Sequence, residues 1–339
     1  MGGGETMKIL YLPSWKSQQR QLEKKVNIYP VRMAMEAELY RWKGHEVYWY
    51  NLNGDELTTN HIRSAKLHVE GCKVIRKPEM LPFLSLPKPD RIFTNAKSYT
   101  SGDYKYTPGT HILSASGCSY GKCSFCVEKD SKYLIRPVDS VINEIKECKK
   151  LGFREVFDDS ATFPSGEWLK EFCKRKIEVG LGDFPISCNM RVSRLEVFDY
   201  MMMKEAGFRM VLFGIESANQ KTLDKINKGT NTLDIKLSVM RASRAGLEPH
   251  ICSIVGFPWE SDEDAQRTLQ LVKCLLKKGY AKTAQMSLYS PNGNETQHKY
   301  VKKIYDVKYS PQFWFNQLKD IRNKDDIKYL WRKIKAGLE

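Results

Sequence analysis

The sequence predicts an α/β protein in which a large part built from six strand–helix repeats follows a small β-α-β unit. Between residues 110 and 289, short apolar runs alternate with helical patterns, and this alternation is typical of parallel β/α architecture. Residues 8–52 show the strand–helix–strand order once. A chain of 339 residues can hold one large domain with a small appendage.

Composition limits the function classes. No apolar run reaches the length of about 18 residues that indicates a transmembrane helix, and residues 1–6 lack the basic and apolar regions of a signal peptide. We therefore expect a cytoplasmic protein with no membrane partner. The formal charge of +15 favours nucleic acid or another polyanion as a partner, although a solvated lysine-rich surface gives the same composition.

The small unit comes first. Residues 8–13 are expected to form a buried strand, 29–43 a helix, and 46–52 a second strand parallel to the first. The helix carries an apolar stripe at spacings of four, four and three residues, formed by Val31, Met35, Leu39 and Trp42.

The six repeats follow. The expected strands are residues 110–115, 155–159, 185–191, 210–214, 250–255 and 283–289. The expected helices are residues 138–151, 166–179, 194–206, 218–226, 232–245 and 261–278. The last segment, residues 297–339, carries 11 Lys and Arg against 5 Asp and Glu. Its apolar stripe of Ile327, Leu330, Trp331 and Ile334 predicts a helix packed on the larger part, with Lys328, Arg332 and Lys335 on the outer side.

Three cysteines lie within nine residues after the first of these strands, at Cys118, Cys123 and Cys126. Closely spaced cysteines on a loop can hold a [4Fe–4S] cluster. A zinc site would need a second ligand pair, which the sequence lacks at the usual distance, and a disulfide is not expected in a reducing compartment. The other six cysteines are scattered and are expected to be small core residues.

Polar residues follow the later strands, where the functional residues of parallel β/α barrels lie. Asp158 and Asp159 follow the second strand, where they either bind a ligand or form the N-cap of the next helix. Asn189 and Arg191 share one face of the third strand with Ser187. Because buried polar side chains are costly without polar partners, we expect Arg191 either to bind an anion or to pair with an aspartate. Glu216 and Ser217 follow the fourth strand, with an N-cap or a salt bridge as the alternative for Glu216. Gly256 and Glu260 follow the fifth strand, and Leu288 ends the sixth.

These motifs together resemble radical S-adenosylmethionine (SAM) enzymes. The resemblance covers residues 105–295 with five motifs in order: the cysteine loop with Phe125 before its last cysteine, Asp158-Asp159, Asn189 to Arg191, Gly214-Ile215-Glu216-Ser217, and Gly256-Phe257-Pro258-Trp259-Glu260. The usual loop spacing in that family is C-x3-C-x2-C, so the C-x4-C-x2-C of this chain departs from it by one residue.

The resemblance implies a partial (β/α)6 barrel whose three cysteines hold a [4Fe–4S] cluster with one open iron. Phe125, Asp158, Asp159, Asn189, Arg191, Glu216, Ser217, Gly256, Glu260 and Leu288 would then contact SAM. Reductive cleavage of SAM would give a 5′-deoxyadenosyl radical that attacks a C–H bond of an unidentified substrate, with a flavodoxin- or ferredoxin-like one-electron reductant. The alternative class is a basic nucleic-acid-binding protein with a structural Fe–S cluster.

Residues 8–52 resemble the start of the cobalamin-binding domain that precedes many such enzymes, through Tyr29-Pro30 and Gly44-His45-Glu46-Val47. Only about 30 residues separate Leu52 from the proline-rich linker, too few for a full five-stranded crevice, and no D-x-H-x-x-G motif is present. We therefore predict a truncated domain at 1–80, a linker at 81–109, the barrel at 110–296 and a helical extension at 297–339. A cobalamin-dependent C-methyltransferase is the alternative reading.

Overall fold

The computed structural model describes residues 6–11, 30–49, 73–75, 78–99, 101–192, 195–289 and 298–338. Contacts divide the chain into two units, residues 1–113 with 147–156 and residues 114–146 with 157–339. Among the described helices, none combines the length and the apolar character that crossing a lipid bilayer requires.

The first unit begins with a small parallel sheet. Strand β1 (Lys8–Tyr11) is followed by helix α1 (Val31–Trp42) and by strands β2 (Glu46–Trp49) and β3 (Lys73–Ile75), in the sheet order β2-β1-β3. The predicted β-α-β unit is therefore present, and β3 is an additional strand that the sequence pattern missed. The core of this sheet is formed by Ile9, Tyr11, Met33, Ala37 and Ile75. Residues 12–13, 29 and 50–52 of the predicted elements lie outside the described residues.

The main sheet confirms the predicted partial barrel, because six parallel strands curl into a half-barrel. Its strands, in chain order, are β4 (Gly109–Ile112), β7 (Glu155–Asp158), β8 (Ile186–Arg191), β9 (Phe208–Glu216), β10 (Glu248–Val255) and β11 (Thr283–Leu288). They neighbour one another in the sheet in that same order, which is what successive right-handed crossovers produce. The intervening helices are α2 (Val138–Lys150), α3 (Glu167–Glu178), α4 (Val197–Glu205), α5 (Gln220–Lys225), α6 (Thr232–Arg244) and α7 (Asp262–Lys277).

Two local features differ from the sequence prediction. Residues 110–115 do not form one strand, because β5 (Ala115–Ser116) leaves the main sheet and pairs antiparallel with β6 (Leu134–Ile135). This two-stranded ribbon brackets the cysteine loop. Strand β9 is longer than predicted at both ends and includes Glu216 within the strand, because its flanking residues are buried between two neighbouring strands.

A buried lysine joins elements at the side of the second unit. Lys176 is fully buried near the end of α3, and its ammonium group donates to the backbone carbonyls of Leu181 (2.6 Å), Phe184 (2.6 Å) and Ala206 (2.7 Å). Three carbonyl acceptors match the three N–H donors of an ammonium group, so the desolvated charge is fully hydrogen-bonded. This contact fixes the turn that leads into β8.

The C-terminal segment forms helices α8 (His298–Lys303), α9 (Pro311–Leu318) and α10 (Lys324–Leu338). The predicted apolar stripe of α10 is covered only in part, because Leu330 and Ile334 are half-buried whereas Ile327 is 56% exposed and Trp331 is 68% exposed. Tyr329 instead faces the barrel, where the Arg209 guanidinium lies 5.6 Å from its ring centre, and the Asp326 carboxylate turns inward to accept backbone N–H groups at the start of the helix. Lys328 is exposed, as predicted.

His111 is a buried titratable group in the first unit. It is 2% exposed, and its Nδ1 lies 2.7 Å from the hydroxyl oxygen of Tyr104, while its backbone carbonyl accepts a hydrogen bond from Arg91. Burial lowers the pKa of His111 to about 4. The positive charge of Arg91 also lowers this pKa, and the negative charge of Asp103 raises it. The imidazole is therefore neutral in the folded protein at neutral pH.

We expect His111 to make the fold acid-sensitive. The folded-state pKa lies below the ordinary value of 6.5, so the unfolded chain takes up a proton first, and the free energy of unfolding falls as the pH drops from about 6.5 towards 4. The loss attributable to this group is about 3 kcal/mol. Denaturant titrations of the parent and of His111→Gln across this pH range measure this loss. The difference in the free energy of unfolding between the two proteins should change with pH. A difference that stays constant over the range would contradict the assignment.

Candidate active site

The cysteine loop is shaped by glycines and by backbone hydrogen bonds. Gly117 has a φ of +78°, and a Cβ there would lie 2.4 Å from the carbonyl oxygen of Lys132, so only glycine fits. The two ends of the loop are joined by the Asp130 N–H donating to the Gly121 carbonyl at 2.8 Å. The Ser124 N–H donates to the carbonyl of Ile226, which ties the loop to the end of α5.

Each of the three predicted cluster cysteines has a donor near its sulfur. Cys118 Sγ lies 3.3 Å from Thr162 Oγ1, Arg191 Nη1 points at Cys123 Sγ from 3.7 Å, and the Glu128 N–H donates to Cys126 Sγ at 3.4 Å. Such donors stabilise thiolates and tune clusters that are bound by thiolates.

The surroundings of Cys118 and Cys126 shift the pKa values of their thiols in opposite directions. Burial raises the pKa of Cys118, but the Thr162 hydroxyl, two loop N–H groups and the Arg191 charge outweigh it, so the pKa lies below its ordinary value. Burial raises the pKa of Cys126, and the charges of Cys123 and Cys118 raise it further.

No three His, Cys, Asp or Glu side chains among the described residues are arranged to hold a single metal ion. The residues fit a multi-iron cluster because three thiols, which are suitable iron ligands, lie on one loop. Each sulfur atom also has a hydrogen-bond donor nearby, from the loop or from a neighbouring strand end. In a [4Fe–4S] cluster each cysteine thiolate binds a different iron atom. Cys118, Cys123 and Cys126 could hold three of the four irons.

Arg191 connects the cysteine loop to the loop after α5. Its guanidinium carbon lies 3.9 Å from the centre of the Tyr120 ring, and its Nη2 donates to the Lys228 carbonyl at 2.5 Å. The Tyr120 hydroxyl donates to Asn227 Oδ1 at 2.9 Å. We call Arg191, Tyr120, Asn227 and Lys228 the arginine clamp. The predicted alternative, pairing of Arg191 with Asp158 or Asp159, is not among the contacts of Arg191.

A cavity of about 580 Å³ borders this clamp and is lined by Arg191, Gly229, Asp224, Asn231 and Asp234, among others. Its acidic side chains already have partners, since Gln220 donates to Asp224 and Asn231 donates to Asp234. The cavity is therefore a polar opening next to the cysteine loop.

Asp158, at the end of β7, is fully buried. One carboxylate oxygen accepts from both the backbone N–H (2.9 Å) and the hydroxyl of Ser114, and the other accepts from the Ser160 N–H at 3.1 Å. Burial raises its pKa to about 6, against these hydrogen bonds. Asp159 is exposed, and the N-cap of α3 is Gly166, so neither aspartate caps that helix.

Asn189 and Arg191 lie on the same face of β8, as predicted, and both are half-buried. The Asn189 amide donates to the Ser160 carbonyl at 3.1 Å, so it supports the same strand end that Asp158 holds. In register, Asn189 stands beside Leu212 and Arg191 beside Gly214, which places both polar side chains along one row of the half-barrel.

Glu216 forms a buried ion pair. The sequence analysis gave a salt bridge as one alternative for this residue, without naming its partner. Lys228 Nζ lies 2.6 Å from Glu216 Oε1, and the two side chains are 8% and 9% exposed. Glu216 has a φ of +60°, a strained conformation for a residue with a Cβ. A Cβ at Gly214 would lie 2.6 Å from Glu216 Oε1, so the glycine makes room for the carboxylate. Lys228 was missed because a lysine in a turn carries no distinctive signal.

Glu260 binds the protein rather than capping a helix. Its Oε1 accepts from the hydroxyls of Ser217 (3.2 Å) and Thr222 (3.1 Å), and its Oε2 accepts from the Gly256 N–H (3.2 Å). Burial raises its pKa. The N-cap of α7 is instead Ser261, whose hydroxyl accepts from the N–H of residue 264.

An aromatic group lies beside the cysteine loop. The Phe125 ring meets Phe257 edge-on at 6.2 Å, and Phe257 stacks on Trp259 at 5.4 Å and contacts Tyr289 at 4.8 Å. Leu288 ends β11 and is half-buried. Phe125 thus joins the loop to the turn after β10. Residues 290–293 lie outside the described part of the chain.

Comparison with known proteins shows what this part of the chain is similar to. Residues 112–272 match the family model described as the Radical SAM superfamily. Among curated proteins, the chain is 28% identical over 176 residues to an "Uncharacterized methyltransferase PH0819" of Pyrococcus horikoshii, covering 48% of this chain and 36% of that protein.

Two solved structures have similar folds. The radical S-adenosylmethionine methyltransferase TsrM from Kitasatospora setae matches with a TM-score of 0.50 and 20% identity, covering 63% of this chain and 40% of that one. The cobalamin-dependent S-adenosylmethionine radical enzyme OxsB matches with a TM-score of 0.51 and 13% identity, covering 90% of this chain and 47% of that one. The chain spans less than half the length of each of these three proteins.

The Glu216–Lys228 pair gives a testable prediction. Glu216→Gln leaves a buried ammonium unpaired and Lys228→Met leaves a buried carboxylate unpaired, and each should lower the free energy of unfolding by about 3–5 kcal/mol. In the double variant, the decrease in the free energy of unfolding should be smaller than the sum of the two single decreases, as measured by denaturant unfolding. Lys170→Met breaks an exposed pair with Glu167 of similar length and should have no measurable effect. Additive losses in the double variant would contradict the buried pairing.

Proposed function

We propose, because residues 112–272 match the Radical SAM superfamily model, that this chain is an enzyme that binds a [4Fe–4S] cluster through Cys118, Cys123 and Cys126 and cleaves SAM reductively. The observation that carries the proposal is the cysteine loop, where each of the three sulfur atoms has a hydrogen-bond donor nearby. A bound, reduced cluster supplies the electron that splits SAM into methionine and a 5′-deoxyadenosyl radical able to attack a C–H bond.

The protein residues hold this site in place before any ligand binds. The arginine clamp fixes the cysteine loop against the end of α5, and the Arg191 charge lowers the pKa of Cys118, which favours the thiolate needed for iron binding. Asp158 fixes the backbone at Ser114, just before the loop. The edge-on contact of Phe125 with Phe257 joins the loop to the turn after β10.

We assign the SAM contacts to the strand ends that surround the loop. Asn189 and Arg191 present polar atoms on one row of the half-barrel, and the paired Glu216 and Lys228 supply one charge of each sign, which suits the amino, carboxylate and hydroxyl groups of SAM. Asp158 and Glu260 are already committed to protein donors, so we propose that they act by positioning Ser114 and Ser217. The reductant is a one-electron protein of the flavodoxin or ferredoxin kind, and the substrate is unidentified.

The experiment that tests the proposal is anaerobic reconstitution with iron and sulfide, reduction with dithionite in the presence of SAM, and assay of 5′-deoxyadenosine. The parent should form it, and Cys118→Ala, Cys123→Ala and Cys126→Ala should each lower the rate at least about 100-fold, because each removes a cluster ligand. The exposed cysteine Cys274 gives the matched control, Cys274→Ala, which should keep full activity. A fully loaded parent protein that forms no 5′-deoxyadenosine would disprove the proposal.

A second candidate is cobalamin-dependent methylation. The small sheet has its first strand in the centre, and the likeness to OxsB covers 90% of the chain, which must include part of residues 1–80 since residues 81–339 make up only about three quarters of the sequence. The segments that follow β1 and β2 lie outside the described residues, so the corrin contacts are not assigned.

Corrin retention decides between the two candidates. The protein is incubated anaerobically with hydroxocobalamin, passed through a desalting column and examined by absorption spectroscopy. We expect retained corrin at about one equivalent if the methyltransferase reading holds, together with methyl transfer in place of substrate dehydrogenation or rearrangement. Loss of all corrin on the column, with 5′-deoxyadenosine still formed, leaves SAM cleavage as the function and removes the cobalamin candidate.

A further inference from the structure

Helix α10 leaves large apolar side chains uncovered. Ile327 and Trp331 are 56% and 68% exposed. They are four residues apart and therefore share one face of the helix. We call these two side chains the C-terminal apolar face. Large apolar side chains exposed side by side on a surface indicate a contact with something apolar.

Lysines accompany this face. Lys319, Lys324 and Lys328 are exposed, and none of them forms an ion pair with a residue in the described part of the chain. Two of the three nearby carboxylates are engaged elsewhere: Asp320 pairs with Lys282, and Asp326 accepts the backbone N–H groups of residues 322 and 323. The third, Asp325, offsets only one of the three lysine charges. The lysine charges are therefore available to an anionic partner.

The face lies at the edge of the sheet where the strands begin. Asn316 donates to the carbonyl of Lys277, and Gln317 donates to the carbonyl of Lys282, both in the connection between α7 and β11. Arg209, which contacts Tyr329 of α10, is the second residue of β9. The cysteine loop follows the other end of the strands, so the apolar face and the candidate active site lie at opposite edges of the half-barrel.

We propose that the C-terminal apolar face docks on an anionic lipid surface, with Trp331 and Ile327 entering the headgroup region and Lys324 and Lys328 contacting lipid phosphates. A helix with lysines beside an exposed Trp and aliphatic face is typical of helices that lie in the membrane interface. The placement leaves the edge that carries the cysteine loop facing away from the bilayer.

Two other occupants suit the face less well. A second copy of the chain, whose formal charge is +15, would bring another strongly basic surface towards Lys324 and Lys328, and like charges would repel. Single-stranded nucleic acid would match the lysines and could stack on Trp331, but it offers no apolar cover for Ile327. An anionic lipid surface satisfies both the charged and the aliphatic side chains.

The test is vesicle flotation of the cluster-loaded protein, with phosphatidylcholine vesicles and with vesicles that also contain phosphatidylglycerol. We expect flotation with the anionic vesicles only. The bound fraction should fall about tenfold in Lys324→Glu/Lys328→Glu and about as far in Ile327→Ser/Trp331→Ser. Cluster absorbance and circular dichroism check that each variant is folded, and the two independent variant pairs keep the test usable if one pair fails to fold.

Matched controls separate the face from general surface effects. Lys146→Glu/Lys236→Glu makes the same charge change at exposed lysines on α2 and α6, and Phe198→Ser removes an exposed aromatic side chain on α4. Both should float like the parent. Absence of flotation, equal flotation with neutral vesicles, or equal loss in the controls would overturn the proposal.

Binding assays for the other occupants complete the test. A labelled single-stranded RNA and the corresponding DNA are titrated by fluorescence anisotropy, and self-association is followed by sedimentation. If the face variants abolish nucleic-acid binding or self-association while the parent shows no flotation, the face belongs to that partner and the lipid proposal is wrong. The outcome is independent of SAM cleavage, because flotation needs no turnover.

Discussion

The contact of Arg191 with the cysteine loop is the interaction on which the candidate active site depends. One guanidinium stacks on Tyr120, points at the Cys123 sulfur and donates to the Lys228 carbonyl. A planar group with five donors can make these contacts together, which a lysine ammonium could not. The loop that carries the three cysteines is thereby held to the strand ends that carry the remaining polar groups.

Buried carboxylates form a second layer around this contact. Asp158, Glu216 and Glu260 all lie at strand ends, and each is committed to a partner within the protein: serine and backbone donors for Asp158 and Glu260, and a lysine for Glu216. Charges buried without partners are costly, so these pairings fix the local backbone. A site that must bind a charged, flexible cofactor gains from such preorganisation, because fewer groups need to be ordered at the moment of binding.

The described parts at both ends of the chain are folded. The N-terminal sheet has β1 between two other described strands and a packed apolar core. The C-terminal segment is held by buried Tyr300, Ile304 and Val307 and by the hydrogen bonds of Asn316, Gln317 and Lys282. It leaves Trp331 exposed.

The sequence by itself determined the sheet class, the order of the six repeats and the cysteine triplet, because hydrophobic periodicity and ligand spacing are local properties of the chain. It also located Asn189, Arg191 and Glu216 at strand ends. Tertiary structure alone decided the partners of those residues: Arg191 contacts a cysteine and not an aspartate, Glu216 pairs with Lys228, and α10 turns Tyr329 rather than Trp331 inward. Each of those outcomes depends on tertiary contacts between segments that are distant in the sequence, and local sequence patterns do not predict such contacts.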